Sequence, residues 1–338
     1  MRREKTDPNR LPDRVVALGG GTGLPAVLRG LRQLVVDGEM ADLTAIVAMS
    51  DDGGSSGRLR RSRGLPPPGD VRNCLVALSA EEDLLAGLFQ HRYSGAEELG
   101  GHNLGNLILA ALAEQTGSFL KAVEVSSRVL RTVGRILPVT LEDVSLVATL
   151  EDGSRLVGET AIGLCRKQIR SVTLHPRTAR PAPESVEAIV QADLVVIGPG
   201  SLFTSVLPTL VLDDVARALR DTRAVRVLVG NLVSERGEAA GLTLDDHVRI
   251  IEAHAGGAVV DAILVHHGSI DDATLARYQA EGASPLVLQD GGPAGPRVIR
   301  RNLLAEGVKL RHDPAATAAG LLLAWHELSR PNPVRQRS

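Results

Sequence analysis

A glycine-rich turn between two apolar segments near the N-terminus constrains the fold most strongly. Residues 15–18, Val-Val-Ala-Leu, are typical of a buried parallel strand. Gly-Gly-Gly-Thr-Gly follows at 19–23. Apolar residues then recur at helical spacing, at Leu24, Val27, Leu28 and Leu31. The sequence therefore predicts a strand, a glycine turn and a helix in succession.

Such a turn is suited to binding phosphate. The first N–H groups of a helix have no partner within it, and the helix dipole adds partial positive charge there. The alternative is an ordinary strand–helix turn, because the run is neither a complete G-x-G-x-x-G nor a Walker A motif ending in Lys-Ser/Thr. The candidate ligand-binding residues in this turn are Gly20, Gly21, Thr22, Gly23 and Leu24.

The composition excludes several classes of protein. The chain has 338 residues, a net charge of -2 and only 2% aromatic residues, so we expect neither a nucleic-acid partner nor base stacking. Cys74 and Cys165 are too few for a disulfide framework or a zinc site. The chain shows no signal peptide and no run long enough to span a bilayer, so we predict a cytoplasmic protein without membrane insertion.

Strand and helix patterns alternate along the chain, which predicts an α/β fold with a doubly wound, mainly parallel sheet and helices on both faces. We expect one domain at 14–329 between flexible tails at 1–13 and 330–338. A β-rich insertion or subdomain is predicted at 138–175. Later strands are predicted at 193–197, 225–229, 261–265 and 285–288. Asp70, Thr243 and Asp313 are predicted to cap helices.

Candidate ligand residues follow several strands, where ligands bind in such sheets. A second glycine turn consists of Gly198, Pro199, Gly200 and Ser201, and Asn231 and His266 each follow a later strand. The second turn is either a plain turn or an anion site with N–H and hydroxyl donors. Two anion-binding turns in one sheet favour a nucleotide diphosphate as the ligand over a single phosphate.

Asp51 and Asp52 allow three interpretations. One carboxylate could accept a hydrogen bond from a ribose hydroxyl, one could hold Mg²⁺ on a diphosphate, or both could belong to a solvated turn. Asp70 could share the metal, although capping its helix is an alternative role. Arg58, Arg60 and Arg61 either clamp anionic groups or lie in solvent. Asn103 and Asn106 are three residues apart, which places both amides near the start of a helix, and both are candidate ligand-binding residues.

Six of these segments together resemble the YvcK-type gluconeogenesis factor family, which shares a superfamily with the 2-phospho-L-lactate transferases (CofD-like). The segments are 17–24, 50–60, 67–73, 101–106, 197–201 and 311–313. The resemblance implies a Rossmann-like core and a regulatory protein that binds a UDP-sugar, UDP-N-acetylglucosamine. It also implies a link between gluconeogenic growth, cell-wall (peptidoglycan) synthesis and cell shape. The expected partners are a second copy of the chain in a dimer and an unidentified cell-wall enzyme or regulator.

The resemblance also implies individual site residues. A tyrosine and an arginine in the C-terminal part contact the nucleotide sugar in that family, and by position these are Tyr278 and Arg311. Asn73 joins the ligand set from its motif. Relatives carry a phosphorylatable threonine after Arg-His-Asp, but Pro314 stands at that position here.

The transferase branch of the superfamily supplies the alternative function. Such an enzyme would use Mg²⁺, held by Asp51 and Asp70, with Asp52 as its candidate catalytic residue. For the regulatory protein, no cofactor is expected apart from Mg²⁺ accompanying the nucleotide.

Overall fold

The computed structural model describes residues 11–329, with gaps at 81–83, 97, 235–236, 281, 290–294 and 308. Within this part, the strands in chain order are β1 (Arg14–Gly19), β2 (Asp42–Val47), β3 (Arg135–Pro138), β4 (Ser145–Leu150), β5 (Arg155–Val157), β6 (Ile169–His175), β7 (Leu194–Ile197), β8 (Val225–Val229), β9 (Ala262–His266) and β10 (Arg297–Arg301). They form a 7-stranded sheet in the order β10-β9-β8-β7-β1-β2-β3 and a 3-stranded sheet in the order β5-β4-β6.

Helices surround the larger sheet. In chain order they are α1 (Leu24–Val36), α2 (Gly54–Arg63), α3 (Gly69–Leu78), α4 (Leu84–Gln90), α5 (Leu104–Thr116), α6 (Phe119–Val129), α7 (Glu159–Gly163), α8 (Pro183–Gln191), α9 (Asp213–Asp221), α10 (Leu244–Ala255), α11 (Asp272–Ala280) and α12 (Pro314–Ser329). In the central strands β1, β2 and β7, the consecutive apolar residues are buried. Since consecutive strand residues point to opposite faces, both faces of the sheet are covered. The predicted α/β fold with a Rossmann-like, doubly wound sheet is therefore confirmed.

The chain reverses its direction of winding at β1. All strand pairs in the larger sheet are parallel. The chain runs from β1 outward through β2 to β3, and then returns to build β7, β8, β9 and β10 on the other side of β1. The topological switch point, where ligands bind in such sheets, consequently lies between the carboxyl ends of β1 and β7.

The β-rich segment predicted at 138–175 forms the antiparallel sheet. β4 pairs with β5 and with β6, and Glu151, Asp152 and Gly153 lie at the predicted turn. Leu146, Ala148 and Leu150 alternate with more exposed residues along β4, as expected for a sheet with one face packed on the core. The predicted domain division stays a prediction, and the tail residues 1–10 and 330–338 lie outside the described residues.

Two predicted helix caps are confirmed and one predicted strand is wrong. Thr243 and Asp246 form a capping box, and Asp313 accepts a hydrogen bond from the Ala316 N–H at 2.7 Å. The strand predicted at 285–288 does not form, and only Pro285 makes a single bridge, to Val233. The edge strand is β10 instead. Its sequence RVIRR contains three arginines, so its apolar pattern is too weak to predict a strand.

The second glycine turn leads into two short helical turns that are not α-helical. A π-helical turn at Leu202–Val206 is followed by a 3₁₀ turn at Leu207–Thr209. Both cysteines are buried free thiols, as predicted. A search of the described helices finds none with the length and apolarity needed to cross a bilayer.

Candidate functional site

The two glycine turns lie side by side at the switch point. Gly19 ends β1, and a Cβ placed on it would lie 3.8 Å from the Gly198 Cα. A Cβ on Gly23 would lie only 2.3 Å from the Pro199 carbonyl oxygen. Glycine is therefore required at position 23 by the close approach of the second turn. The two turns that the sequence predicts at neighbouring strand ends do converge, and their backbones pack directly on each other.

The first turn carries a protein carboxylate. The Gly21 N–H donates to Asp70 Oδ2 at 2.8 Å. Asp70 lies in the first turn of α3, whose N-cap position is Pro68, and it makes no capping bond. The prediction that Asp70 caps this helix is therefore wrong, because its carboxylate is turned toward the glycine turn. No hydrogen bond of the Thr22, Gly23 or Leu24 N–H occurs within the described part of the chain.

Asn231 braces the second turn. Its Oδ1 accepts from the Gly200 N–H at 3.0 Å, and its Nδ2 donates to the Gly200 carbonyl, also at 3.0 Å. One side chain therefore satisfies both backbone groups of Gly200, whose φ is +156°. Asn231 lies at the predicted place, directly after β8, but its amide fixes the turn. The Gly200 N–H, predicted as an anion donor, already has this partner.

A buried carboxylate lies at the start of the π-helical turn. Glu238 is 5% exposed, and its Oε1 accepts from the Phe203 N–H and from the Thr204 hydroxyl, both at 3.2 Å. The sequence gives no signal for this residue, because it is carried by the loop between β8 and α10 and reaches the site only through the fold.

An acidic cluster lies beside the first turn, at the end of β2. Asp51 accepts from the Gly53 N–H at 2.9 Å, and Asp52 accepts from the Thr160 N–H and hydroxyl at 2.9 and 2.7 Å. Glu159, at the start of α7, is near Asp51, Asp52 and Asp70 and accepts weakly from the Ser50 hydroxyl at 3.4 Å. Sequence reasoning missed Glu159, which lies in the β-rich insertion.

Burial and the neighbouring negative charges raise the pKa values of Glu159 and Asp70 in this cluster. Burial first, and then the charges of Asp51, Asp70 and Asp52, raise the pKa of Glu159 to about 9. Burial is also the main reason that the pKa of Asp70 is raised to about 6, against the lowering effect of the Gly21 N–H. A cation would relieve this repulsion. However, no three acidic, histidine or cysteine side chains among the described residues are arranged to hold a metal ion by themselves.

The predicted asparagines form a polar network under the first turn. Asn73 Nδ2 lies 3.5 Å from the Gly21 carbonyl, and its Oδ1 accepts from Arg72 at 2.6 Å. Asn106 also accepts from Arg72, at 3.1 Å. Asn103 is the N-cap of α5, and its Nδ2 donates to the Gln90 carbonyl at 3.0 Å.

These contacts decide what the amides can do. Asn103 and Asn106 are each 1% exposed. Their structural partners therefore take the place of the ligand contacts that the sequence predicts for them. Only Asn73, which touches the glycine turn, keeps a position next to the candidate ligand.

The C-terminal motif returns to the same edge of the sheet. His312 Nε2 lies 3.0 Å from the carbonyl oxygen of Gly230, the residue before Asn231, and the side chain is buried. Arg311, its neighbour, is exposed. The Tyr278 hydroxyl accepts from the Leu310 N–H at 3.0 Å, which ties α11 to this motif. Tyr278 and Arg311 are therefore brought close together, next to the end of β8.

Comparisons with known proteins agree with this architecture. The model of the family described as "2-phospho-L-lactate transferase CofD" matches residues 15–304. The chain is 45% identical over 276 residues to the gluconeogenesis factor of Halalkalibacterium halodurans, covering 82% of this chain and 84% of the relative. It is 41% identical to the gluconeogenesis factor of Bacillus subtilis, covering 91% and 97%.

Solved structures show the same similarity. A crystal structure of a Bacillus halodurans protein matches with a TM-score of 0.88 at 41% identity, covering 92% of this chain and 99% of that chain. A second crystal structure, described as a member of the UPF0052 family from the same organism, matches with a TM-score of 0.86 at 41% identity. The chain therefore belongs to the CofD family and, within it, to the proteins named gluconeogenesis factors.

Proposed function

We propose that this protein is a regulatory protein of gluconeogenic growth that binds a UDP-sugar, UDP-N-acetylglucosamine, across its two glycine turns. The observation that supports this most is the direct contact of Gly23 with Pro199 at the switch point. The gluconeogenesis factors of similar sequence support the growth role through their names.

The pyrophosphate would bind at the start of α1. The N–H groups of Thr22, Gly23 and Leu24 are oriented by the helix and make no hydrogen bond within the described residues. Together with the helix dipole they suit an anion. Gly198, Pro199, Gly200 and Ser201 would extend the same binding surface beside the first turn, with Gly200 held in place by Asn231.

The uridine or sugar end would extend toward the C-terminal motif. Tyr278 is held by the Leu310 N–H, and Arg311 is exposed beside it. Arg311 offers five donors in a fixed plane, which suits phosphate or sugar oxygens. The contact between His312 and the Gly230 carbonyl supports a position of Arg311 within reach of the second glycine turn.

Mg²⁺ would accompany the bound nucleotide. Asp51 and Asp70 are close enough for the charge of one to raise the pKa of the other, and a doubly charged cation would offset that repulsion. Mg²⁺ is usually held by one or two carboxylates together with phosphate oxygens and water, so two carboxylates suffice. Bound there, the ion would neutralise charge on the diphosphate.

The test is isothermal titration calorimetry of the full chain with UDP-N-acetylglucosamine, with and without Mg²⁺. We expect saturable binding that UDP competes for, because the turns contact the diphosphate. GDP serves as the control for base selectivity. An absence of binding at millimolar ligand would contradict the proposal.

A transferase of the phospholactate type is the second candidate. The match to the CofD family model over residues 15–304 and the carboxylates Asp51, Asp52 and Asp70 favour it. Asp52, however, is engaged by Thr160 at 2.7 Å, so a catalytic role would require that contact to open. Incubation with nucleotide-activated phospholactate, a deazaflavin acceptor and Mg²⁺ distinguishes the two functions. A phosphodiester product would support the transferase.

A link to cell-wall synthesis and cell shape is part of the proposal, as are the cytoplasmic location and the dimeric state. The two buried free thiols fit a reducing compartment. Deletion of the gene should impair growth on gluconeogenic carbon sources, and the wild-type gene should restore it. Sedimentation of the purified protein tests the dimer.

A further inference from the structure

The arginines of α2 fall into two groups. Arg60 pairs with Asp143 at 2.6 Å, and Arg63 pairs with Glu114 at 3.4 Å. Arg58 and Arg61 contact only backbone carbonyls, those of Gly100 at 2.8 Å and Asp52 at 3.4 Å. Within the described part of the chain, no carboxylate forms an ion pair with either of them. The second pair of guanidinium groups therefore lacks the counter-charge that the first pair has.

Two more arginines lie behind this pair. Arg92 donates to the Gly101 carbonyl at 2.8 Å, on the same turn that Arg58 holds through Gly100. Arg72 is 6% exposed, and among the described residues its guanidinium donates only to the neutral amide oxygens of Asn73 and Asn106. Its Nε is buried and has no partner in that part of the chain.

Arg72 and Arg92 are also close enough to repel each other. Burial first, and then the charge of Arg92, lower the pKa of Arg72 to about 10. Arg72, with a pKa of about 10, nevertheless remains charged at neutral pH. Among the residues that the structure describes, neither Arg72 nor Arg92 forms an ion pair, and only the more distant charges of Asp70 and Asp51 offset the positive charge of Arg72.

A cavity of about 500 Å³, open to solvent, lies beside Arg58 and Arg61. Its lining consists of Arg58, Arg61, Ser62, Glu98 and His102. The cavity is wide enough for a small molecule, and because it is open to solvent a ligand would be held there mainly by charge and hydrogen bonds. Among the described residues, the side chains that line it are polar or charged, and His102 adds the one ring. The two guanidinium groups of the lining outnumber the single carboxylate of Glu98.

The lining is held in place by the protein itself. The Gly100 carbonyl orients Arg58. His102 Nδ1 lies 3.1 Å from the Ser55 hydroxyl, at the start of α2. A fixed guanidinium loses less entropy when it binds, and its planar donors match the oxygens of phosphate or carboxylate.

We propose that the cavity between α2 and the turn at 98–102 is a second ligand site, which binds a compact polyanion through phosphate or carboxylate groups. Arg58 and Arg61 contact the anion directly. Arg92 and Arg72 contribute to the positive electrostatic potential around it. Its direct contacts, Arg58 and Arg61, are not residues of the glycine turns, and the proposal does not depend on the nucleotide-sugar proposal.

The test is calorimetric titration of the full chain with inorganic pyrophosphate and, separately, with citrate at constant ionic strength, each in the presence of UDP so that the glycine turns are already occupied if they bind the nucleotide. Arg61→Gln is the main variant, because Arg61 is exposed and its loss leaves the packing intact. Arg63→Gln is the matched control, since it removes the same charge from the same helix. Arg311→Ala reports on the nucleotide site.

We expect Arg61→Gln and Arg58→Gln to weaken binding of the probe by about tenfold or more. Arg63→Gln and Arg311→Ala should leave it within about twofold. Binding of pyrophosphate alone indicates a phosphorylated ligand, and binding of citrate alone indicates a carboxylate ligand. The proposal is overturned if neither probe binds saturably, if Arg63→Gln weakens binding as much as Arg61→Gln, or if only Arg311→Ala weakens it.

Discussion

Asp70 Oδ2 accepts a hydrogen bond from the Gly21 N–H at 2.8 Å, so a carboxylate of the protein rests on the turn that would bind a phosphate. Burial is the main reason that the pKa of this carboxyl is raised to about 6, and the charge of Asp51 adds to it. The ligand-free protein therefore holds negative charge at a point where more negative charge would arrive. A cation accompanying the ligand would resolve this conflict.

Asp70→Asn should stabilise the ligand-free protein at neutral pH. Between about pH 6 and 4 the Asp70 carboxyl is protonated in the folded protein but ionised in the unfolded chain. Above pH 6 it is ionised in both states, and its burial then lowers the free energy of unfolding by about 1–3 kcal/mol. Asparagine keeps an acceptor for Gly21 without the charge. Urea unfolding at pH 7.5 and pH 5 measures the effect.

The gain from Asp70→Asn should shrink at the lower pH, where Asp70 itself becomes protonated. The exposed Asp37→Asn is the control and should show no such pH dependence. If Asp70→Asn is less stable than wild type at both pH values, the assigned charge cost is wrong. The variant should also lose any dependence of nucleotide binding on Mg²⁺.

Acid should destabilise the protein through its buried histidines. Burial lowers the pKa of both His247 and His312 to about 4. The unfolded chain takes up each proton near pH 6.5, whereas the folded side chain does so only near pH 4, so this contribution is present above pH 6.5 and is lost as the pH falls toward 4. The loss amounts to about 1–3 kcal/mol for each residue.

His247→Leu should make the protein less sensitive to acid. His247 is 6% exposed and its Nε2 has no partner among the residues that the structure describes, so leucine removes the titration without breaking a described hydrogen bond of that atom. Urea midpoints at pH 7 and pH 4.5 should lie closer together than in wild type. His267→Gln, at an exposed position, should leave the difference unchanged. Equal acid sensitivity of His247→Leu and wild type would refute this assignment.

Gly23→Ala should damage the contact between the two turns. The new Cβ would lie 2.3 Å from the Pro199 carbonyl oxygen, so one turn must move. Overpacking of this kind costs about 1–3 kcal/mol. Gly87→Ala is the control, because it lies in α4 with nothing within 4 Å of the new atom and should be neutral or slightly stabilising. Gly23→Ala should lower both the thermal unfolding midpoint and the affinity for UDP-N-acetylglucosamine, whereas Gly87→Ala should lower neither.

Asn231→Ala should loosen the second turn. It removes both hydrogen bonds to Gly200 and leaves a backbone donor and acceptor without their partner. The expected cost in unfolding free energy is about 1–3 kcal/mol. Asn231→Asp keeps the acceptor for the Gly200 N–H and loses only the donor, so its cost should be smaller. Equal stability of all three proteins would show that the turn holds its shape without this side chain.

The sequence predicted the parts of the site that are built from local pattern. The apolar run of β1, the glycines after it and the stripe of α1 lie within one continuous segment. The convergence of the turns at 19–23 and 198–201 also followed, because both come directly after parallel strands and the carboxyl ends of such strands share an edge. Capping by Thr243 and Asp313 depends on near neighbours and was likewise predictable.

The residues that sequence reasoning missed or misassigned depend on distant contacts. Glu159 and Glu238 enter the site from an insertion and a loop, and their partners Ser50 and Phe203 lie 109 and 35 residues away in the chain. Asp70 is at a position that also suits a helix cap, but its acceptor role is decided by Gly21, 49 residues earlier. Such contacts cannot be predicted from the secondary-structure propensities of neighbouring residues.

Arg311→Ala tests the proposed nucleotide-sugar site most directly. Arg311 is exposed next to His312, which is fixed to the end of β8, so its removal should leave the fold unchanged. We expect the affinity for UDP-N-acetylglucosamine to fall by about 1–3 kcal/mol, the scale of a hydrogen bond to a charged group. Arg300→Ala, an exposed arginine on β10, is the matched control and should bind as wild type does. Because the unfolding midpoints of both variants should equal that of wild type, a loss of affinity confined to Arg311→Ala would reflect a contact with the ligand. An unchanged affinity would remove Arg311 from the site.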